Sequence, residues 1–284
     1  MRFVIVTPSF GPDFERCRLL VESVKEFVPG TVEHLLLVDR QDVPQFSQLA
    51  GPRTRVVEVE SVLPRWIMRV PGGRRWWLSL KTLPVRNWIL QQVAKLAVGE
   101  HIDADAYLFT DSDVTLIRPF DPAEYLNPHG RLRLFRVPGA AQLPTHFKWH
   151  QTASVLLGAP PTDYFGSNYI GNMISWRRDH LIGLYRHIEK VHSRPWAEAV
   201  CRRWHLSEYI LYGVYVEHVL GGGKHYYEDQ AHCHISWDYD VSTPSGLDNF
   251  FAEVRPEHVA VMVSSKAGLT ADAYADRLRR LTMA

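Results

Sequence analysis

Long apolar runs and a charge excess of either sign are both missing from this sequence. No apolar stretch approaches the roughly 18 residues that a transmembrane helix needs, so none is expected. Lys and Arg together number 32 and Asp and Glu 31, which gives a formal charge of +1. Nucleic-acid-binding proteins usually carry a strong basic excess. The balance therefore argues against a nucleic acid partner, although it leaves room for a local basic patch.

Cysteine is also scarce. The chain holds three cysteines, Cys17, Cys201 and Cys233, which lie far apart and form no CxxC pair. This spacing supports neither a disulfide framework nor a cysteine-rich zinc site.

The stretch Met1–Pro8 has one basic residue and too short an apolar run for a signal peptide. We therefore expect a cytoplasmic protein, with peripheral contact at the inner face of the membrane left open.

Several familiar catalytic motifs do not occur. No GxGxxG follows the first apolar segment, and the sequence contains neither GxSxG nor HExxH. The segment Gly221–Lys224 lacks the rest of a P-loop, and His187–Glu189 is not followed by the PCxxC of zinc deaminases. These absences leave the acidic residues that follow the apolar segments as the best candidate site.

Apolar and amphipathic segments alternate over the first 120 residues. Strand-like segments lie at 3–6, 34–38, 55–59 and 106–110, and helix-like ones at 17–28 and 80–96. Strands separated by helices predict an α/β fold with a mixed, mostly parallel, Rossmann-like sheet flanked by helices. No linker, repeat or low-complexity tract interrupts the sequence, so we predict a single domain over residues 1–284.

Polar residues follow three of the predicted strands. Thr7, Pro8 and Ser9 follow the first strand, Asp39 follows the second, and Asp111–Asp113 follow the fourth. Because ligands of open α/β sheets bind beyond the carboxyl ends of the strands, these residues are expected to meet at one binding site.

The triplet Asp111-Ser112-Asp113 is the strongest chemical signal. Composition alone predicts about one Asp-x-Asp triplet by chance, and the sequence has three, but only this one directly follows an apolar strand. Carboxylates at i and i+2 share one side of an extended chain, and Mg²⁺ or Mn²⁺ prefers such ligands together with substrate phosphates. The simpler alternative is a turn or a helix cap, since Asp is common in both.

The segment Tyr107–Asp121, YLFTDSDVTLIRPFD, resembles the DxD segment of GT-A glycosyltransferases. The resemblance covers residues 1–121 well and implies a GT-A-like fold, with 1–121 as the nucleotide-binding half and 122–284 as the acceptor-binding half. Within bacterial sequences the chain is similar to the DUF6492-type proteins, in which a segment like Ser207-Glu208-Tyr209 recurs.

The resemblance implies roles for individual residues. The nucleotide would contact Thr7, Pro8, Ser9, Asp39, Lys81, Asp111 and Ser112. The metal, Mn²⁺ or Mg²⁺, would bind Asp111 and Asp113, with His232 or His234 as a third ligand. The donor sugar and the acceptor would lie against Gly171, Asn172 and Trp176. For Lys81 and Trp176 the alternatives are a solvated side chain and a core side chain.

Glu208 is the candidate general base. An inverting transferase needs a carboxylate to take the proton of the acceptor hydroxyl. Glu208 follows Ser207 at a predicted helix start, where the helix dipole favours an ionised carboxylate. Helix capping is an equally good explanation, and Asp163 and Glu228–Asp229 are reserve candidates. A retaining mechanism would not require Glu208 as a base.

A basic and aromatic cluster covers Arg65–Trp66, Arg69 and Arg74–Trp77. It could close over a diphosphate, or contact an anionic membrane or a lipid-linked acceptor. The simpler interpretation is a surface loop whose tryptophans enter the core.

Together these features predict a metal-dependent glycosyltransferase. It would move a sugar from a nucleotide-diphosphate sugar, with a UDP-sugar favoured, to a hydroxyl of a sugar, glycan or lipid-linked acceptor. One alternative is a sugar nucleotidyltransferase, although its Gly-rich first loop is missing. Another is a non-catalytic nucleotide- or carbohydrate-binding protein on a transferase scaffold.

Overall fold

The structure is a computed structural model that describes residues 1–70, 76–140 and 143–282. The strands in these ranges are β1 (Phe3–Ser9), β2 (Glu33–Val38), β3 (Thr54–Glu58), β4 (Ile67–Arg69), β5 (Trp76–Ser79), β6 (Val85–Arg86), β7 (Ala106–Phe109), β8 (Val114–Leu116), β9 (Leu132–Phe135), β10 (Val137–Pro138), β11 (Ser167–Asn168), β12 (Ile174–Arg177), β13 (His225–Glu228), β14 (Cys233–Ile235) and β15 (Ala260–Met262). The α-helices are α1 (Phe14–Phe27), α2 (Val43–Phe46), α3 (Val59–Val62), α4 (Asn87–His101), α5 (Pro144–Leu157), α6 (Arg178–His192), α7 (Trp196–Cys201), α8 (Glu208–Val214), α9 (Pro244–Ala252) and α10 (Asp272–Thr282).

The centre of the fold is a five-stranded sheet in the order β12-β7-β1-β2-β3. Strands β7, β1, β2 and β3 are parallel, and β12 runs antiparallel to β7 with Ile174 opposite Phe109. Residues Leu35–Val38 of β2 are fully buried, as a parallel sheet covered on both faces requires. This sheet and its flanking helices confirm the predicted α/β fold.

Helices cover both faces of the central sheet. On one face, the apolar side chains of α4, α6, α7 and α8 form the largest core cluster with residues such as Val6, Leu35 and Phe109. On the other face, α1 buries Leu20 and Val24 against the sheet and β8. No described helix is long and apolar enough to cross a membrane.

Smaller sheets bring later segments to the site. β15 pairs with both β14 and β8, and Met262 lies opposite Val114. The backbone N–H of Val263 then bonds to the carbonyl of Asp113 at 3.2 Å. The chain beyond β15 therefore runs alongside the turn that carries Asp111–Asp113.

The predicted helix at 80–96 is wrong at its start, because α4 begins only at Asn87. The preceding residues form the antiparallel β5–β6 hairpin instead. In its turn the Ser79 hydroxyl accepts hydrogen bonds from the backbone N–H groups of Lys81 and Thr82 at 3.2 and 2.9 Å. Pro84 further disfavours the helical conformation for the residue before it.

Gly213 in α8 lies against a buried tyrosine ring. A Cβ atom at this position would stand 2.3 Å from the ring of Tyr169, which is only 1% exposed. The Tyr169 hydroxyl also donates to Glu217 at 2.7 Å, so the ring is held in place.

Gly213→Ala is therefore expected to lower the free energy of unfolding by about 1–3 kcal/mol, as overpacking does in a filled core. Urea unfolding measures this change. The matched control is Gly30→Ala, because Gly30 has no atom within 4 Å of its added Cβ and should change stability by less than about 0.5 kcal/mol. Equal stability of the two variants would contradict the close approach of Gly213 and Tyr169.

Candidate active site

A cleft runs along the carboxyl ends of β1, β2 and β7 and consists of two adjoining cavities. The first, of about 460 Å³, lies beside Asp39 and Arg69. The second, of about 300 Å³, lies beside Asp111, Asp113 and Glu208. Both cavities are lined by Pro8, Ser9, Phe10 and Gln91, so they form one continuous cleft. This is the edge of the sheet at which the sequence predicts a ligand.

Three aspartates cluster in the second cavity. Asp111 and Asp113 occupy the turn between β7 and β8, and Asp13 precedes α1 and accepts a hydrogen bond from the Ser112 hydroxyl at 3.5 Å. Burial and the charge of Asp111 raise the pKa of Asp113 to about 7. The backbone N–H of Ser265 donates to the Asp113 carboxylate at 2.9 Å, which opposes this rise. Burial also raises the pKa of Asp13, although Arg16 opposes this.

This aspartate cluster is suited to a divalent cation. The charge of Asp111 disfavours the ionised form of Asp113 and of Asp13, and a cation would offset that repulsion. Carboxylate oxygens are the ligands that Mg²⁺ and Mn²⁺ prefer, usually completed by water and substrate phosphates. Among the described residues, no three His, Cys, Asp or Glu side chains form a complete metal-binding group. Water and ligand oxygens would have to complete the coordination of any cation bound here.

Lys95 of α4 connects the aspartate turn to α8. Its ammonium lies 3.3 Å from the Asp111 carboxylate, 3.0 Å from the Glu208 carboxylate and 3.0 Å from the Tyr209 hydroxyl. Burial lowers the pKa of Lys95, but the two carboxylates outweigh that effect and hold the pKa well above its usual value. The ammonium is therefore charged and bridges two acidic groups of the cavity.

Glu208 is the first residue of α8 and lines the second cavity. The Ser207 hydroxyl caps the helix by accepting from the N–H of Ile210 at 3.4 Å. The backbone N–H of Glu208 donates to Gln92 at 3.2 Å, and its side chain is only 3% exposed. The cap, the backbone bond and Lys95 together fix the carboxylate at the cavity wall.

An ion pair at the end of β2 forms the polar part of the first cavity. The Asp39 carboxylate lies 2.6 Å from the guanidinium of Arg69, which stacks over Trp77 at 4.3 Å and reaches Glu60 at 3.4 Å. Burial raises the pKa of Asp39, while Arg69 opposes the change. The pair presents an acceptor and a donor side by side.

The three residues predicted to contact the nucleotide at the end of β1 lie in different environments. Pro8 and Ser9 line both cavities. Thr7 is fully buried instead, and its hydroxyl bonds to the His34 ring at 2.9 Å. Thr7 therefore contacts the core and does not face the cleft.

The structure brings one of the three predicted donor and acceptor residues into the cavity. Gly171 lines it, and a Cβ there would approach the Phe135 ring to 3.2 Å. Asn172 accepts from the backbone N–H of Asp111 at 3.3 Å, so it supports the aspartate turn. Trp176 is fully buried and stacks on Tyr212 at 4.8 Å, which agrees with the alternative of a core side chain.

His232 and His234 have partners away from the aspartate cluster. His234 bonds to the carbonyl of Phe250 at 3.0 Å and stacks on that ring at 4.5 Å. His232 lies 3.8 Å from Glu228. Neither is among the described residues that line the second cavity. The late segment that does reach Asp113 is 264–266, with Ser264, Ser265 and Lys266 in the cavity wall.

Lys81 also lies outside both cavities, in the β5–β6 turn, with its ammonium 5.9 Å from the Trp66 ring. The helix that was expected to carry it toward the nucleotide begins six residues later. Of the basic and aromatic cluster, Arg74 and Arg75 fall outside the described residues.

Sequence reasoning missed three charged residues of the cleft: Asp13, Lys95 and Lys266. Lys95 carried a usable signal, since it is the one charge in the apolar stretch 93–98. A lysine in the buried face of a helix requires a partner. Asp13 and Lys266 lie in irregular segments and gave no comparable signal.

The family model for DUF6492, described as a family of unknown function, matches residues 6–246. No curated protein matches the sequence. Two crystal structures of LgtC are similar, one of an active-site mutant and one of the galactosyltransferase with donor and acceptor sugar analogues. Each has a TM-score of 0.51, 16% identity, and coverage of 99% of this chain and 95% of LgtC.

Mouse xyloside xylosyltransferase 1 in its apo form aligns with a TM-score of 0.46 and 11% identity, covering 95% of this chain and 100% of that one. The likeness to LgtC shows that the fold is that of the GT-A glycosyltransferases.

Proposed function

The chain belongs to the DUF6492 family, and we propose that it is a metal-dependent glycosyltransferase. It transfers a sugar from a nucleotide-diphosphate sugar, with a UDP-sugar as the favoured donor, to the hydroxyl of a sugar, glycan or lipid-linked acceptor. The reaction takes place in the cytoplasm. The GT-A scaffold supports this class of activity.

The observation that carries the proposal is the division of the cleft into two joined cavities. The first offers Asp39 and Arg69, an acceptor and a donor for the base or ribose. The second offers the aspartate cluster and Glu208. A nucleotide in the first cavity would place its diphosphate at Pro8 and Ser9, where the cavities meet. On this proposal residues 1–121 supply most of the nucleotide site.

Asp111 and Asp113 would hold Mn²⁺ or Mg²⁺, with Asp13 adding negative charge nearby. The bound cation supplies charge neutralisation for the diphosphate leaving group. Lys266, in the same cavity wall, adds a positive charge for the phosphates. The backbone N–H of Ser265 orients the Asp113 carboxylate for this purpose.

Glu208 would accept the proton of the acceptor hydroxyl. Its carboxylate lines the cavity and is held by Lys95 in one orientation. A fixed carboxylate within reach of the acceptor is the arrangement that general base catalysis needs. Gly171 leaves room for the sugar beside it, because it has no side chain.

Donor binding is tested by thermal shift with UDP-, GDP-, CMP- and dTDP-sugars, each with and without Mn²⁺. One nucleotide is expected to raise the melting temperature only when metal is present. At a hundredfold excess over Kd the stabilisation would be about 2.7 kcal/mol. Asp113→Ala should abolish the shift and lower turnover by about 100-fold or more, because a charge-stabilising group is lost.

Asp238→Ala is the matched control, since Asp238 is exposed and belongs to another Asp-x-Asp triplet. It should keep both the shift and the turnover. Absence of a shift with every nucleotide would refute the donor site. A metal-dependent shift without any turnover would favour a non-catalytic binding protein.

A further inference from the structure

Three short segments form one exposed face beside the cleft. They are 78–88, from β5 to the start of α4, 143–149 at the start of α5, and 202–206 between α7 and α8. We call this surface the apolar–basic face. It contains several of the most exposed large apolar side chains of the described residues, with Leu80 at 73%, Leu83 at 81%, Leu143 at 63% and Trp204 at 55%.

Contacts between the segments show that the face is continuous. The guanidinium of Arg202 donates to the backbone carbonyl of Lys81 at 3.2 Å. That of Arg86 lies 4.9 Å from the Trp204 ring and donates to the Trp204 carbonyl at 3.4 Å. The β5–β6 turn and the segment before α8 are therefore neighbours.

Two tryptophans connect the face to the segment 143–149 and to the cleft. The Trp88 indole donates to the Leu206 carbonyl at 2.9 Å, and its ring stacks on Trp149 at 6.1 Å. Both tryptophans also line the cavity that contains Asp111 and Glu208. The apolar–basic face thus borders the mouth of the second cavity.

The charge of this face is of one sign. Its three segments hold five basic residues and no Asp or Glu, in a chain whose formal charge is only +1. The basic residues are Lys81, Arg86, Lys148, Arg202 and Arg203. One acidic neighbour, Glu198, pairs with Arg202 at 3.0 Å. Basic charge is therefore concentrated where the apolar side chains are exposed.

We propose that the apolar–basic face binds the surface of an anionic lipid bilayer. Exposed leucines and tryptophans insert at the headgroup boundary, and Lys and Arg beside them attract anionic headgroups. A protein partner would not require this excess of positive charge around the leucines. The mouth of the second cavity would then face the headgroups, so the acceptor hydroxyl belongs to a lipid-anchored molecule. This last step rests on the proposed function, whereas binding to the bilayer does not.

The test is flotation of the full chain with phosphatidylcholine vesicles, with and without phosphatidylglycerol. The wild type should float only with the anionic vesicles, and added salt should release it. Leu80→Ser/Leu83→Ser and Lys81→Glu/Lys148→Glu should each lower binding at least tenfold. The controls are Val219→Ser/Tyr227→Ser and Lys25→Glu/Lys190→Glu, which change exposed residues elsewhere on the surface and should float like the wild type.

Failure of the wild type to float with anionic vesicles would overturn the proposal and favour a protein interface. Equal losses in the control pairs would overturn it as well. The Leu80→Ser/Leu83→Ser variant should keep the donor-induced thermal shift, so the two proposals fail separately. A donor shift without flotation would refute only the membrane contact, and flotation without a donor shift would refute only the transferase.

Discussion

Replacing Lys95 by methionine is expected to lower the free energy of unfolding by about 3–5 kcal/mol. The change leaves the Glu208 carboxylate, only 3% exposed, without the ammonium that now lies 3.0 Å away. Removal of one partner from a buried ion pair is costly because the remaining charge is neither solvated nor neutralised. Urea unfolding at neutral pH, with the wild type measured alongside, gives the difference.

The double variant Lys95→Met/Glu208→Gln separates this effect from lost packing. It removes both charges and should recover more than half of the stability lost in Lys95→Met. Lys25→Met, at an exposed lysine of α1, serves as the matched control and should change stability by less than about 0.5 kcal/mol. A loss below about 1 kcal/mol in Lys95→Met would contradict the buried bridge.

Acid should destabilise the protein well before its ordinary carboxylates are protonated. Four buried histidines have lowered pKa values, about 3 for His34 and His225 and about 4 for His150 and His180. Burial is the main cause in each. Since the folded-state pKa lies below the unfolded value near 6.5, these groups contribute fully above pH 6.5. Their contribution is lost progressively as the pH falls toward 4.

Three carboxyls with raised pKa values, those of Asp13, Asp39 and Asp113, act in the opposite direction. The pKa of Asp113 is raised to about 7, so protonation of this group favours the folded state as the pH falls. With four histidines against the raised aspartates, the net loss between pH 7 and pH 5 should be about 3–5 kcal/mol. Urea unfolding at several pH values measures it.

The variant His34→Gln tests the contribution of one of these buried histidines. It should be less stable than the wild type at pH 7, because it disturbs the bond to Thr7, yet its stability should fall less steeply toward pH 5. The difference in slope corresponds to about one proton. Parallel curves for variant and wild type would show that His34 is not held neutral.

Strands β1, β2, β3 and β7 of the central sheet could be predicted because each is a short, largely apolar run, whereas β12, which includes Ser175 and Arg177, was not predicted. The start of α4 could not be predicted, because Ser79, Pro84 and the β5–β6 pairing compete with the helical pattern that continues behind them. Local periodicity fixes the type of an element better than its first residue.

The acidic residues Asp39 and Asp111–Asp113 could also be predicted from the sequence, since they directly follow predicted strands. The basic side of the site was predictable only in part, because Lys95 stands out as a charge in an apolar stretch but its partners do not. Lys95 meets the Tyr209 hydroxyl across 114 positions of chain, and Lys266 enters from the segment after β15. The spacing of residues along the sequence does not predict contacts between segments so far apart. The role of His232 or His234 as a metal ligand stays a prediction, although in this structure the His234 ring bonds to the carbonyl of Phe250.

The path of β15 has a consequence for how relatives of this protein should be compared. The segment that defines the family ends at residue 246, but Ser265 and Lys266 contribute to the cavity from beyond it. Two relatives can therefore agree throughout the family segment and still differ in the wall of the second cavity. Comparing the second cavity among family members requires alignment through residue 266, and truncation at residue 246 would remove part of the wall of the cleft.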